Sequence, residues 1–89
     1  MIKMEIVIKN RTGLHARPAA IFVQIANKYE SDITIIKDDQ EVNGKSIMGI
    51  LMLAAERGSK IILTADGSDE EAAMRELSAV LLNDHDRDI

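Results

Sequence analysis

The segment Gly13-Leu14-His15-Ala16-Arg17-Pro18 places a histidine at the predicted start of a helix, two residues before an arginine. Glycine permits backbone angles that other residues avoid, and proline is favoured in the first turn of a helix. The N-terminus of a helix offers unpaired N–H groups and the positive end of the helix dipole, so it binds phosphate readily. An imidazole held there can accept a phosphoryl group. The segment therefore points to a phosphohistidine carrier rather than to a conventional enzyme pocket.

The patterns on either side of this segment predict a strand before it and a helix after it. Apolar residues alternate with others from Met1 to Ile8, which is typical of a half-buried strand. Asn10 to Gly13 contains turn residues and is predicted to be a loop. The helix is expected from about Ala16 to Tyr29. Its core-facing stripe would consist of Ala19, Val23 and Ala26, with Phe22 left open as a further member.

Three further segments are predicted to complete a sheet. The β-branched residues from Asp32 to Lys37 indicate a strand, and Gln40 to Asn43 indicates a second strand that returns beside it. Asp38-Asp39 between them is a plausible two-residue hairpin turn. Lys60 to Ala65 is rich in isoleucine and leucine and predicts another strand.

Two further helices are predicted. Ser46 is a good N-cap for a short apolar helix from Ile47 to Ala54, which Gly58 would end. The segment 68–71 matches a capping box, with Ser68 and Glu71 as its partners, and it opens a last helix that runs to about Leu82. The buried stripe of that helix would consist of Ala73, Leu77, Val80 and Leu81.

The predicted order of elements is β-α-β-β-α-β-α, and it specifies the fold class. We expect an α/β (α+β) open-faced sandwich, in which a four-stranded, mainly antiparallel sheet has three helices on one face. The 89 residues are expected to form a single domain, 1–89, because a second domain would have no core of its own.

The composition narrows the class of protein. Without cysteine, the chain has neither a disulfide framework nor a thiolate metal site, and no metal or cofactor is expected. Neither a signal peptide nor a membrane-spanning stretch is visible, so we expect a cytoplasmic protein that does not insert into membranes. The net charge of −4 argues against nucleic acid as a partner. Residues 1–65 hold nine bases and seven acids and can offer a mildly positive face to an acidic protein. Nothing requires more than a monomer.

The first two helices have more apolar residues than one core-facing stripe needs. Ala20 and Ile21 lie on the otherwise polar face of the first helix, one turn from the histidine. The second helix has six apolar residues between positions 47 and 53, and these cannot all face one core. We expect the surplus to form a docking patch, on which methionine is typical of surfaces that accept several partners. Small cores also tolerate extra apolar residues at helix ends, and this alternative stays open.

His15 is the candidate nucleophile. A loop histidine more often has a capping or solvent role, but Gly13, Arg17 and Pro18 favour chemistry at this position. Arg17 can pair with phosphate oxygens. The positive end of the helix and the arginine both disfavour the imidazolium, so the neutral, nucleophilic ring is expected near neutral pH.

Two segments of the chain match the signatures of a known family. Asn10-Arg-Thr-Gly-Leu-His-Ala-Arg-Pro-Ala19 closely resembles the active-site signature of the HPr family, the histidine-containing phosphocarriers of the bacterial phosphoenolpyruvate:sugar phosphotransferase system. Val42-Asn-Gly-Lys-Ser-Ile-Met-Gly-Ile50 resembles the regulatory serine signature of the same family. The order of elements and the length also fit, so the resemblance covers nearly the whole chain.

The resemblance implies a role for each residue of the first segment. His15 would accept a phosphoryl group on Nδ1 from phosphorylated enzyme I, itself charged by phosphoenolpyruvate, and would pass it to sugar-specific IIA domains. Arg17 would steady the phosphate, while Ala16 and Pro18 would shape the helix start. For Thr12, a hydrogen bond near the site and a plain turn role are equally open. Such a protein is a phosphoryl-transfer intermediate rather than a turnover enzyme.

Ser46 has two predicted roles that can both hold. It caps the second helix, and by the resemblance it is the serine phosphorylated by the HPr kinase/phosphorylase of many Gram-positive bacteria. The added charge of about −2 would weaken binding to enzyme I and could be recognised by a catabolite-control transcription factor. The apolar partner contacts implied beside it are Leu14, Ile47, Met48 and Leu51, which add to Ala20 and Ile21 of the first helix.

Two other functions stay open. One is a phosphocarrier of a nitrogen-related branch, against which the Gram-positive-like surroundings of Ser46 argue. The other is a regulatory binding module with a vestigial His15, against which the intact His15-Ala16-Arg17 argues. A hydrolase is least favoured, because no triad, metal cluster or pocket-forming second domain is visible. His85 lies in the segment 84–88, which we interpret as a solvated acidic tail rather than a metal cluster.

Overall fold

A computed structural model describes residues 1–9, 13–14 and 16–82, without the side chain of Ala16. The predicted order β-α-β-β-α-β-α is confirmed. The strands are β1 (Ile2–Val7), β2 (Asp32–Lys37), β3 (Gln40–Asn43) and β4 (Lys60–Asp66), and the helices are α1 (Ala16–Ala26), α2 (Ile47–Leu53) and α3 (Glu70–Leu82). No helix within these ranges is long and apolar enough to span a bilayer.

The four strands form one antiparallel sheet in the order β1-β4-β2-β3, as the fold class predicts. β4 pairs on one side with β1, where Ile61 opposes Ile6, and on the other side with β2, where Leu63 opposes Ile35. β1 and β2 therefore run in the same direction on either side of β4, with α1 connecting them. The predicted turn at Asp38-Asp39 is also confirmed, since Lys37 lies opposite Gln40.

The core lies between one face of this sheet and the helices. Successive side chains of a strand point to opposite faces, and the inward set of the two central strands is almost fully buried. This set includes Ile33, Ile35, Ile61, Leu63 and Ala65. On the edge strand β1, Ile6 is buried but Met4 stays 37% exposed. Met4 therefore contributes less to the core than its place in the alternating pattern suggests.

The predicted core-facing stripes of α1 and α3 are confirmed. On α1, the fully buried residues are Ala19, Phe22 and Ala26, with Val23 half-buried beside them. On α3, the buried residues are Ala73, Leu77, Val80 and Leu81, together with Met74 and Ser78.

α1 ends at Ala26 rather than at Tyr29. After Ala26 the chain tightens, because the Tyr29 N–H donates to the carbonyl three residues before it, at 3.2 Å. The side-chain amide of Asn27 also donates to the Val23 carbonyl at 2.9 Å. Asparagine side chains compete in this way with the helical pattern of the backbone, so the helix stops short of its apolar periodicity.

The prediction that Gly58 ends α2 is wrong. The helix ends at Leu53, and Ala54 takes the left-handed conformation with φ of 54° while its N–H donates to the Leu51 carbonyl. Gly58, with φ of 90°, lies instead in the turn that leads to β4, and its N–H donates to Ile8. Glycine usually occupies the left-handed position after a helix. An alanine at that position gives no signal in the sequence that the helix ends there.

The predicted capping box of α3 is displaced by one residue. The Gly67 N–H donates to the carboxylate of Glu70 at 3.0 Å, so Glu70 makes the contact that was expected of Glu71. Gly67 itself packs against the residue before β2, because a Cβ at this position would lie 2.6 Å from Cα of Ser31. The capping box therefore begins at Gly67, which contacts Ser31, rather than at the predicted Ser68.

The carboxylate of Asp69 connects the start of α3 to the entry of β2. It accepts the N–H of Glu30 at 2.9 Å, the N–H of Ser31 at 3.0 Å and the hydroxyl of Ser31, which is fully buried. The Ser31 hydroxyl, followed by the backbone N–H groups, lowers the pKa of Asp69 below its usual value. The ionised form therefore stabilises the fold.

Asp69→Asn should remove a pH-dependent part of the stability. The folded pKa of Asp69 lies below the unfolded value of about 3.9, so its contribution is complete above that value and is lost as pH falls through the folded pKa. We expect a lower melting temperature at neutral pH and a shallower loss of stability between about pH 5 and pH 2 than in the unsubstituted chain. Thermal unfolding at neutral pH measures the first effect, and urea unfolding between about pH 5 and about pH 2 measures the second. Asp39→Asn in the exposed hairpin turn is the control, and an identical pH profile for the two variants would contradict the role of Asp69.

Ala54→Gly should stabilise the chain. Ala54 is exposed and left-handed, so glycine relieves steric strain without removing buried surface. After the larger entropy loss of glycine is subtracted, the unfolding free energy should rise by about 0.5–1 kcal/mol. The same substitution at Ala79, exposed within α3, should lower it by about 1 kcal/mol. Chemical denaturation compares the two, and a loss of stability in both would show that Ala54 is unstrained.

Candidate functional site

The N-terminus of α1 is the centre of the candidate site. The helix begins at Ala16 and has Pro18 in its first turn, as predicted, where the missing proline N–H costs no helical hydrogen bond. The first turn contains no acidic residue, so no carboxylate of that turn compensates the positive end of the helix dipole. Arg17 is exposed and adds a cation there. This helix end therefore favours an anion. His15 and Thr12 lie outside the described residues, and their roles stay predictions.

The backbone that leads into α1 rests on the turn after α2. The Leu14 N–H donates to the Ala55 carbonyl at 2.7 Å. Gly13 has φ of 81°, and a Cβ built on it would lie 2.7 Å from the same oxygen. Only glycine satisfies both the left-handed backbone and the close approach. The sequence signals the special backbone at Gly13, but nothing in it identifies Ala55 as the partner.

One of the predicted partner contacts does not lie on an open surface, and two others are only partly exposed. Leu14 is fully buried, so it anchors the helix start in the core instead of offering an exposed contact. Ala20 and Ile21 are half-buried, and Ile21 packs against the core. Their expected exposure is corrected because α1 contacts both α2 and α3, which cover more of its surface than a single stripe.

The exposed apolar surface predicted on α2 is present. Ile50 and Leu53 are the residues that α2 buries. The others are exposed, with Ile47 at 37%, Met48 at 62%, Leu51 at 38% and Met52 at 67%. We call these four residues the apolar face of α2. Their spacing places them on one side of the helix, and an apolar surface of this kind is typical of a protein docking site.

Ser46 caps α2, as predicted. Its hydroxyl accepts the Gly49 N–H at 3.1 Å, and its own backbone is extended. The turn before it is held by Asn43, whose side chain accepts the Lys45 N–H at 2.8 Å and whose carbonyl accepts the Ser46 N–H at 3.1 Å. The half-buried Ser46 therefore lies directly beside the first residue of the apolar face, Ile47.

Lys45 links the turn before α2 to the end of α1. Its Nζ donates to the Tyr29 carbonyl at 2.7 Å, and its own carbonyl accepts from the side chain of Asn27 at 3.4 Å. α1 is thus tied to the turn before α2 at one end and to the turn after α2 at the other. Sequence reasoning missed this link, because a lysine beside a capping serine has no pattern that distinguishes it from a solvated cation.

The carboxylates and the phenol with shifted pKa values lie away from the candidate site. Tyr29 donates to Glu76, and this bond, together with the one from Lys28 at 3.1 Å, lowers the pKa of Glu76. The same bond raises the pKa of Tyr29. The contact holds the segment after α1 against α3. Among residues 1–9, 13–14 and 16–82, no group of His, Asp and Glu is arranged to hold a metal. His85 and the acidic segment around it lie outside those residues.

Known proteins resemble this chain in sequence over nearly its full length. Residues 2–83 match the family model described as the PTS HPr component phosphorylation site. The phosphocarrier protein HPr of Neisseria meningitidis serogroup B is 48% identical over 81 residues, which are 91% of each chain. The HPr-like protein Crh of Bacillus subtilis is 46% identical over 79 residues, which are 89% of this chain and 93% of Crh.

A solved structure has the same fold. The crystal structure of HPr from Thermoanaerobacter tengcongensis superposes with a TM-score of 0.88 at 51% identity, over 91% of both chains. This match confirms the predicted open-faced sandwich.

Ser46→Ala should lower the unfolding free energy by about 1 kcal/mol, because the Gly49 N–H loses its acceptor. Ser46→Asp keeps an acceptor at the cap and should retain most of the stability. Ser68→Ala, at an exposed serine in the turn before α3, is the control and should change the value by less than about 0.5 kcal/mol. Chemical denaturation measures all three variants. Equal stability of the two alanine variants would mean that the cap contributes nothing.

Proposed function

The chain belongs to the HPr phosphocarrier family of the phosphotransferase system, and we propose that it accepts a phosphoryl group on His15 from phosphorylated enzyme I and passes it to sugar-specific IIA domains. The observation that supports this most is the N-terminus of α1, which has no acid in its first turn and presents the exposed Arg17. His15 directly precedes this helix in the chain. In this proposal, residues 1–89 act as one domain in the cytoplasm.

The proposed transfer exchanges one bond to phosphorus for another. A nitrogen of the neutral His15 ring bonds to phosphorus while the bond between phosphorus and the donor breaks. The N-terminus of α1 and the Arg17 guanidinium stabilise the phosphoryl oxygens, and Ala16 and Pro18 shape the helix start that aims its backbone at them. The second transfer reverses these events with the IIA domain as acceptor. The carrier returns unchanged, so it is a transfer intermediate rather than a turnover enzyme.

The proposed docking surface for both partners is the apolar face of α2, with Ala20 and Ile21 at its border. The exposure of Ile47, Met48 and Leu51 supports this surface, since burying them in a complex would remove apolar area from water. The links of Lys45 to Tyr29 and of Leu14 to Ala55 hold this face in one orientation relative to the start of α1. A partner bound on α2 would therefore meet the phosphoryl site in a defined geometry.

Regulation at Ser46 is the second part of the proposal. The capping hydroxyl lies beside Ile47, so a phosphate there would add a charge of about −2 at the border of the docking surface. A phosphate at a helix N-terminus is electrostatically tolerated and should not unfold the domain. We propose the HPr kinase/phosphorylase as the enzyme that modifies Ser46 and a catabolite-control transcription factor as the reader of the product.

Two alternative functions stay open. Similarity to Crh, which is described as the Bacillus subtilis catabolite repression HPr, favours a regulatory binding module. A carrier in a nitrogen-related branch would keep the chemistry of His15 but would take the phosphoryl group from a different enzyme I. The match of the segment around Ser46 to the kinase-regulated branch argues against this second alternative.

The proposed function predicts that His15 alone becomes phosphorylated. Incubation of the chain with enzyme I and phosphoenolpyruvate should give one acid-labile phosphate per chain, and His15→Ala should abolish it. The chain has only two histidines, so His85→Ala is the matched control and should label like the unsubstituted chain. Labelling is followed by acid lability and by intact-protein mass spectrometry.

The outcomes separate the alternatives. Equal labelling of His15→Ala and the unsubstituted chain would overturn the assignment of His15. No labelling of the unsubstituted chain, combined with modification of Ser46 by the kinase, would favour the regulatory module. Preferential labelling by a nitrogen-branch enzyme I would assign the other branch.

A further inference from the structure

Three basic residues lie in the adjoining segments where β1 ends and β4 begins. The Ile8 N–H donates to the Ser59 carbonyl, and the Gly58 N–H donates to the Ile8 carbonyl, both at 2.9 Å. A basic residue adjoins each of these three bonded residues in the chain. They are Lys9, Arg57 and Lys60, which we call the basic cluster.

The basic cluster is open to solvent. All three residues are exposed, while Ile8 and Ile61 beside them are buried, so the cations project away from the core. None of them forms an ion pair or a side-chain hydrogen bond with a residue in 1–9, 13–14 or 16–82. The acids nearest in sequence, Glu5 and Glu56, are exposed and make no ion pair with them. The cluster therefore offers an acidic surface three cations that no ion pair within the described residues occupies.

The same turn joins the basic cluster to the candidate site. Ala55, which accepts the Leu14 N–H, is two residues before Arg57. A Cβ on Gly13 would lie 3.0 Å from Cα of Glu56, directly before Arg57. The cluster is thus joined through this turn to the segment that leads into α1, and its residues are separate from the apolar face of α2.

The opposite end of the molecule has the opposite charge. Asp32 on β2 lies directly across from Asp66 on β4, and the start of α3 adds further acids. These acids are Asp69, Glu70 and Glu71. Basic residues therefore outnumber acids at the end near the candidate site, and acids outnumber bases at the other end, where the Met1 ammonium pairs with Asp66 and Glu70. Such a distribution orients a protein in the field of a charged partner before contact.

From this placement we propose that Lys9, Arg57 and Lys60 form a second interaction surface, which binds an acidic surface of the phosphoryl-donor protein and steers that partner to the site. This inference rests on the proposed function and adds a contact outside the apolar face of α2. Charges at the rim of an interface act chiefly on the rate of association, and the apolar contacts then determine how long the complex lasts.

Other occupants fit the observations less well. With a net charge of −4, the chain repels nucleic acid and anionic lipid at distance, and only three cations lie together here. Lys9 also has a local role, because its backbone N–H donates to the Leu81 carbonyl near the negative end of α3. Arg57 and Lys60 have no such local role, so they are the residues to test.

The test compares two double variants with the same net charge. Arg57→Gln with Lys60→Gln removes one arginine and one lysine from the basic cluster. Lys3→Gln with Arg75→Gln removes the same residue types from the middle of β1 and from the exposed side of α3. Rates of association with enzyme I and of dissociation from it are measured by stopped flow at ionic strengths of about 10 mM and about 150 mM.

The cluster variant should associate about five-fold more slowly at low ionic strength and less than about two-fold more slowly at the higher one, with dissociation unchanged within about two-fold. The association rate of the control variant should fall by less than half as much as that of the cluster variant. Equal association rates for the cluster variant and the control would overturn the proposal, as would an effect confined to dissociation. If the unsubstituted chain binds enzyme I but takes no phosphate from it, the proposed function fails. The association rates still test the role of the basic cluster in that case.

Three further measurements test the identity of the occupant. The unsubstituted chain should not bind a 20-base-pair DNA duplex or vesicles of phosphatidylglycerol and phosphatidylcholine at physiological ionic strength, and binding that the cluster variant loses would overturn the choice of a protein partner. Removal of residues 83–89 should leave the association rate with enzyme I unchanged. A faster rate in the truncated chain, absent when the cluster is neutralised, would instead make the chain's own acidic tail the occupant.

Discussion

The contact between Gly13 and the Ala55 carbonyl is the constraint on which the arrangement of the candidate site depends. The start of α1 lies where it does because a left-handed glycine allows the chain to touch the turn after α2, and because the Leu14 N–H bonds to the same oxygen at 2.7 Å. Leu14 then fills the core below. Any larger residue at position 13 would push these two segments apart and change the direction in which the helix end faces.

The two helices that frame the site are joined at both ends. Near the start of α1 the joint is the turn at Ala55, and near its end the joint is the Nζ of Lys45 on the Tyr29 carbonyl. α1 and α2 therefore form a pair whose relative position does not depend on side-chain packing alone. In the proposed function this matters, since the same surface would have to present one phosphoryl group to partners of different shape in the same orientation. The turn that follows Ala55 also places Arg57 at the border of the site.

Local chemistry predicted much of the structure. The alternating and helical patterns gave every strand and helix in the right order, and Ser46 was recognised as a cap because its bond to Gly49 is made within one turn. The errors occur where a distant contact replaces a local rule or where a residue departs from its usual local preference. Gly67 packs on Ser31 and moves the capping contact to Glu70, and Ala54 ends α2 in a conformation usually left to glycine. The exposure of Ala20 and Ile21 was also misjudged, since it depends on neighbours that periodicity does not identify.

The sequence by itself determined the family, the order of the elements, the helix start directly after His15 and the apolar surplus of α2. Each of these depends on the types of residues that lie close together in the chain. Only the tertiary structure decided which residues stand opposite one another. It buried Leu14, set Ala55 against Gly13, tied Lys45 to Tyr29 and brought Lys9 beside Arg57 and Lys60. Contacts between residues far apart in the chain depend on how strands register and helices pack, and no local pattern of side chains specifies that geometry.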